Sequence, residues 1–159
     1  MVGVKIITVG TLKESYLRDA AAEYEKRLGV FCKLTSVSLR EEKLPDSPSA
    51  GEIKNALLRE AEKIIAEMPR KAYKIAMCVE GKQLSSEELA DKLDDICASH
   101  GEMCIVIGSS HGLDDSVKAH CDMKLSVSKL TFPHQLMRVI LLEAVYRGFN
   151  ILKGTHYHK

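Results

Sequence analysis

Apolar residues recur along this chain in two rhythms that take turns, and the turn-taking predicts the architecture. Val4 to Val9 is short, apolar and rich in β-branched side chains, and Gly10 closes it, so it reads as a buried strand. Thr11 and Glu14 then stand at capping-box spacing, and Tyr16, Leu17, Ala20, Ala21, Tyr24 and Leu28 recur at helical intervals up to Gly29. Cys32 to Leu39 has strand composition with partial alternation, and Arg40 to Gly51, with Pro45 and Pro48, is a polar connection. Ser49 and Glu52 repeat the capping spacing ahead of a helix that runs to about Glu67, where Pro69 opposes continuation. Lys74 to Val79 is the third strand.

The second half repeats the scheme. Ser85 and Glu88 open a helix whose apolar stripe is Leu89, Leu93, Ile96 and Cys97, ending near His100 and Gly101. Met103 to Ile107 is a continuous apolar run, as in a strand covered on both faces; Gly108 to Gly112 turns it into a short helix near Asp114 to His120. Lys124 to Val127 is the last strand. Pro133 suits the first turn of a final helix to Phe149 that is apolar on nearly every side, through Leu136, Met137, Val139, Ile140, Leu141, Leu142, Ala144, Val145 and Tyr146. In so small a domain, one face of that helix covers the sheet and a partner subunit is the expected cover for the other. The whole predicts one α/β domain over residues 1–159, a mainly parallel sheet with helices on both faces, and no linker or internal repeat. Ligands of such sheets gather beyond the carboxyl ends of the strands, which points to Gly81, the Gly108 turn and the residues after Val127.

Composition narrows the class. With 45% hydrophobic and 28% charged residues in 159, the chain fits neither a disordered nor a low-complexity protein. No apolar run approaches the ~20 residues that cross a bilayer, and the opening MVGVKIITVG lacks a basic start followed by a long apolar stretch, so a cytoplasmic, membrane-free location is expected. The five cysteines (Cys32, Cys78, Cys97, Cys104 and Cys121) never form CxxC and suit small core residues in a reducing compartment. The net charge of +1 excludes a strongly basic nucleic-acid coat protein. It hides an asymmetry: residues 124–159 carry six basic side chains against Glu143 alone, or +5, while residues 1–123 carry 17 basic and 21 acidic, or −4. The C-terminal end either faces an anion or complements helix C-termini.

The glycine turn reads GSSHG, which is neither GxGxxG nor a phosphate-binding loop, so a ligand held mainly by main-chain groups fits better than a cradled phosphate. The same letters match GxSxG. A hydrolase would then use Ser110 as nucleophile with Asp114 or Asp122 and His134, on a chain short for that fold. There is no HExxH, and His156 with His158 forms only an HxH pair, so no metal is expected. The ending Thr155-His156-Tyr157-His158-Lys159 is either a frayed terminus or a functional one, offering a ring to stack a base, imidazoles, and two cations counting Lys153.

Ser126-Val127-Ser128-Lys129-Leu130-Thr131-Phe132-Pro133-His134-Gln135-Leu136-Met137-Arg138-Val139, then Leu142-Glu143-Ala144-Val145-Tyr146-Arg147, and the terminal Tyr157-His158-Lys159 closely resemble the RlmH family. These are SPOUT-class methyltransferases acting at N3 of pseudouridine in 23S ribosomal RNA. The resemblance extends over the chain, through Val9-Gly10, Leu12-Lys13-Glu14, Glu23-Tyr24, Lys26-Arg27-Leu28 and Gly81-Lys82 before Leu84-Ser85-Ser86-Glu87; TFPHQ with a terminal YHK is its specific signature. It implies a C-terminal trefoil knot within about residues 72–159, a homodimer, S-adenosyl-L-methionine as methyl donor without a metal, and a substrate RNA within the large subunit or the whole ribosome. It places the cofactor against Met77, Gly108, Val127, Ser128, Lys129, Leu130, Thr131 and Phe132. Catalytic or RNA-contacting roles fall to Arg138, Tyr157, His158 and Lys159, the alternatives for Arg138 being a pair with Glu143 or a brace for the dimer. The chain departs from the family's usual pattern in two places, with Met77 for a common Leu and Ser109 for a common second glycine. A ribosome-binding or assembly factor without methyl transfer, and a flavodoxin-like nucleotide binder, are the competing expectations.

Overall fold

In a computed structural model describing residues 1–159, ten elements succeed one another as strand and helix in strict alternation. They are β1 (Val2–Val9), α1 (Ser15–Leu28), β2 (Cys32–Leu39), α2 (Ala50–Glu67), β3 (Tyr73–Gln83), α3 (Ser86–Ser99), β4 (Glu102–Ile107), α4 (Asp115–Ala119), β5 (Met123–Ser126) and α5 (His134–Leu152). The strands form one parallel sheet in the order β2-β1-β4-β3-β5.

Successive side chains of a strand point to opposite faces, and the sheet uses both. Met103, Ile105 and Ile107 of β4 join Val4, Ile6, Ile75 and Leu125 under α1, α3 and α5; Cys104 and Val106 join Ile7, Val9 and Ala76 under α2 and α4. Helices on both faces are therefore observed, and the apolar run of β4 has no water-facing side.

Local signals explain the boundaries. Ser49–Glu52 and Ser85–Glu88 are reciprocal capping boxes; in each the serine hydroxyl accepts the N–H three residues on, and the glutamate accepts the N–H of the serine. Each such cap is worth about 1 kcal/mol. The spacing of Thr11 and Glu14 predicts a third box that does not form: α1 starts at Ser15 with Glu14 at the N-cap position and no side-chain cap. Tertiary contacts hold that entry instead, because Gln135 accepts the Lys13 N–H at 3.0 Å and Arg18 donates to the Leu12 and Lys13 carbonyls at 3.2 and 2.6 Å.

Two further differences matter for function. β3 runs four residues past the expected Val79, and both Met77 and Lys82 pair with Leu125, so the segment between them loops out beside β5. Gly81 makes the return possible: a Cβ there would lie 2.6 Å from the Leu125 carbonyl carbon. The other difference concerns α5. It lies between α1 and α3, with Leu141, Leu142, Val145 and Phe149 buried, so its own chain supplies most of the cover expected from a partner. The part left uncovered is a narrow stripe at helical spacing, with Leu136 exposed and Ile140, Ala144 and Ile151 partly so. No helix is long and apolar enough to cross a membrane.

A candidate cofactor cleft and a separate tail

The looped-out middle of β3 and the chain leaving β4 and β5 wall one cleft of about 290 Å³ at the same edge of the sheet. That volume lies near the lower end of the roughly 300–1,000 Å³ of small-molecule sites. The floor is apolar: Met77, Ile107, Leu113 and Leu125 are buried, and Phe132 and Met137 close it from the side of α5. The Gly108–Gly112 turn forms one wall. A Cβ on Gly108 would overlap the Gly112 carbonyl and approach Leu113 Cγ to 2.9 Å, so only glycine lets the turn fold back so tightly. The opposite wall, residues 127–132, is shaped by serines: Ser126 Oγ donates to the Ser128 carbonyl at 2.8 Å, and Ser128 Oγ accepts the Leu130 N–H at 3.0 Å.

Charge enters from one side. Lys118 of α4 and Glu80, in the looped-out segment of β3, pair at the rim. Each stabilises the other's ionised form, so the contact holds the Glu80 carboxyl below its usual range and raises the Lys118 ammonium. Cys78, beside them, has its thiol pushed up by burial and secondarily by Glu80, which makes it a poor nucleophile.

Of the residues expected to touch the cofactor, Met77, Gly108, Val127, Ser128, Leu130, Thr131 and Phe132 line this cleft; Lys129 is exposed and does not. Gly81 packs on β5 rather than facing the cleft. Sequence reasoning missed Glu80 and Lys118, whose surroundings read as solvated polar stretches, and gave His134 only a hydrolase role, although it lines the cleft mouth.

The residues given catalytic roles lie elsewhere. Arg138 points toward β2 and α1, donating to Ser38 Oγ at 3.1 Å and pairing with Glu25 at 3.4 Å, with its Nε buried and unpartnered. It does not pair with Glu143, which takes Arg147 at 2.7 Å. The tail folds back along α5. Tyr157 meets Tyr146 edge-on at 4.8 Å between centroids, donates its hydroxyl to Glu143 at 3.1 Å, and lies under the Arg147 guanidinium. Arg147 can only donate, so its 3.3 Å contact with His158 Nδ1 makes that nitrogen the acceptor, and Nε2–H then donates to Glu87 at 2.8 Å. Lys159 is exposed at the terminus. Tyr146 stands twelve residues after His134 in α5, or about 18 Å along the helix at ~1.5 Å per residue, so the tail sits well away from its own chain's cleft.

The alternative chemistries are not assembled. Ser110 is exposed and donates to Glu41 at 3.4 Å, with no histidine partner. Asp114 caps α4 through Ser116, and Asp122 accepts the Lys74 N–H. No three His, Cys, Asp or Glu side chains gather as a metal-holding group.

A family model described as "Predicted SPOUT methyltransferase" matches residues 2–158. A protein called ribosomal RNA large subunit methyltransferase H from Bifidobacterium adolescentis is 49% identical over 98% of this chain and 99% of its own length. Proteins of the same name from Clostridium beijerinckii and Bacillus pumilus are 48% and 46% identical at the same coverage. A crystal structure of tRNA (m1G37) methyltransferase from Aquifex aeolicus superposes with a TM-score of 0.56 at 14% identity, covering 99% of this chain and 73% of that one, which is a likeness of fold. With an α/β sheet of this kind, a main-chain-walled cleft at its carboxyl edge and full-length relatives at this identity, the chain belongs to the RlmH family of SPOUT methyltransferases.

Proposed function

We propose that this protein methylates N3 of a pseudouridine in 23S ribosomal RNA, using S-adenosyl-L-methionine, and acts on the large subunit or the whole ribosome as a cytoplasmic homodimer. Residues 1–159 form its single domain, with a trefoil knot in about residues 72–159. The observation that carries the reading is the cleft: the middle of β3 and the ends of β4 and β5 bring the expected cofactor-contacting residues, Lys129 excepted, around one apolar-floored space. The relatives' shared name, ribosomal RNA large subunit methyltransferase H, supports the RNA class. The knot is supported by the match to the SPOUT methyltransferase family model over residues 2–158.

S-adenosyl-L-methionine, when bound, supplies a methyl group already activated on a sulfonium, and its transfer to a ring nitrogen is an in-line displacement that depends on alignment. The chain's residues do the rest. Main chain of the Gly108 turn and of residues 127–132 holds the donor, while Met77, Ile107, Leu125 and Phe132 exclude water from its apolar parts. The N3 proton of the base is weakly acidic and leaves to water, so nearby cations favour the anion that attacks; Arg138 and Lys159 fill that role, His158 contacts the RNA and Tyr157 stacks on the base.

A single chain keeps its tail along α5, away from its cleft, and a second copy is the natural source of the tail that completes the site. The uncovered stripe at Leu136, Ile140 and Ala144 gives such a copy a helix face beside the cleft.

The test is transfer of a labelled methyl group from S-adenosyl-L-methionine to ribosomes, large subunits and naked ribosomal RNA, each with and without pseudouridine. Label confined to pseudouridine-containing particles is the expected result. Cofactor binding with no label on any of them transfers the assignment to a non-catalytic ribosome-binding or assembly factor.

A further inference from the structure

Glu60 is a carboxylate in the wrong company. It lies on the inner face of α2 with Ala56, Ala61 and Ile64, and it is 4% exposed. Burying a carboxylate is costly unless its oxygens are bonded, and nothing within α2 uses them. Both are taken by loops. Oε2 accepts the Glu42 N–H at 2.9 Å, and Oε1 accepts the Ser109 hydroxyl at 3.0 Å. Ser109 is itself buried, at 6% exposure, and sits inside the Gly108–Gly112 turn, where its carbonyl accepts the Gly112 N–H at 2.9 Å. The next residue repeats the tie, because Ser110 Oγ reaches Glu41 at 3.4 Å. Two consecutive serines thus fasten the cleft wall, Ser109 to α2 and Ser110 to the connection that precedes it.

We propose that Glu60 is a positioning residue for the methyl-donor cleft: through Ser109 it locks the Gly108–Gly112 turn in its binding shape, from a helix outside the cleft. The inference rests on the cofactor reading of that cleft. A turn held only by its glycines samples other shapes and loses affinity for each one it must abandon; a hydroxyl anchored on a buried carboxylate removes that freedom beforehand. The Ser109 hydroxyl gives the turn a handle that a glycine would lack.

The experiment compares Glu60→Ala, Ser109→Ala, the double variant and Glu60→Gln by calorimetric titration with S-adenosylhomocysteine and by hydrogen exchange of the free protein. Each alanine variant should weaken binding about tenfold, the equivalent of one hydrogen bond of ~1.4 kcal/mol. The double variant should be no weaker than the worse single one. Glu60→Gln should stay within about threefold of the unaltered protein, because its amide offers a carbonyl to Glu42 N–H and an N–H to Ser109 Oγ. In turnover the KM for the donor should rise with kcat unchanged. Amides 109–113 should exchange faster in both alanine variants, with those of β1 and β4 unaltered.

Unaltered binding and exchange in Ser109→Ala, or additive losses in the double variant, would overturn the assignment and leave Glu60 a packing residue. Should Glu60→Ala not fold, Ser109→Ala decides alone. The exchange measurement needs no cofactor, so failure of the unaltered protein to bind S-adenosylhomocysteine defeats the cofactor reading while the lock is still judged by exchange.

Discussion

The cleft and the tail carry the two halves of the proposed reaction, and they are built by opposite means. Around the cleft, buried strands deliver main chain to one edge of the sheet, and a Cβ has no room at Gly108. Along α5, the tail is held by a few side-chain contacts at a half-exposed surface, among them the hydroxyl of Tyr157 on Glu143 and the imidazole of His158 on Glu87. Contacts of the second kind contribute about 0.5–1.5 kcal/mol each and are readily exchanged for others of equal worth. The cleft is therefore fixed by the fold, whereas the tail's place rests on side-chain contacts that other partners can replace. A base or a second subunit that offers Tyr157 and His158 new partners has little to overcome.

The severest test of this contrast is to remove the tail. Deleting Tyr157 to Lys159 should lower methyl transfer by about 100-fold or more, the scale of lost proton-transfer and positioning groups, while the affinity for S-adenosylhomocysteine changes less than about threefold. Full activity in the truncated protein would place the catalytic groups elsewhere. The complementary variant is Gly108→Ala, whose methyl group must displace the Gly112 carbonyl and Leu113. Overpacking of this kind costs about 1–3 kcal/mol, so donor affinity should fall at least about tenfold and thermal unfolding should come earlier. Mixing the two impaired proteins divides the labour more finely. Activity regained in the mixture means that an intact tail serves another copy's intact cleft, and none regained confines each site to one chain.

The smallest effect is electrostatic. Burial, with Tyr24 and Glu143 nearby, pushes the Tyr157 phenol up to about 12. Its folded value lies above the ordinary value near 10, so its contribution to stability is complete below pH 10 and is lost as pH rises through about 12. Unfolding midpoints should fall more steeply over that interval in the unaltered protein than in Tyr157→Phe. Identical slopes would mean that the phenol is not held as described.

Most of the fold was legible because strong local patterns agree with the tertiary structure. Met103 to Ile107 has no polar position to expose, and the Ser49 and Ser85 caps need only their own first turn. The illegible parts depend on distant chain. The extension of β3 is spelled Glu80-Gly81-Lys82-Gln83, polar enough for a loop, and becomes strand only because β5 is there to pair with it. Thr11 keeps its capping spelling while Gln135, over 120 residues away, holds the backbone that a cap would have organised. In the site, the carboxyl-edge rule for parallel sheets already pointed to the Gly108 turn and the residues after Val127, and resemblance added the individual wall residues. Glu60 and Lys118 were hidden because an isolated charged residue in a helix is usually solvated, and only the folded sheet places one beneath a turn and the other at a rim.

The strand order also sets a timetable for the growing chain. β1 and β2 leave the ribosome early and can pair at once, but β1 must wait for β4 on its other edge, and β3 for β5. The apolar faces of α1 and α3 wait longest, since α5, which fills the space between them, is the last of the ten elements. The core is therefore closed by its final helix, and the cleft, bounded by the start of that same helix, is among the last features to appear.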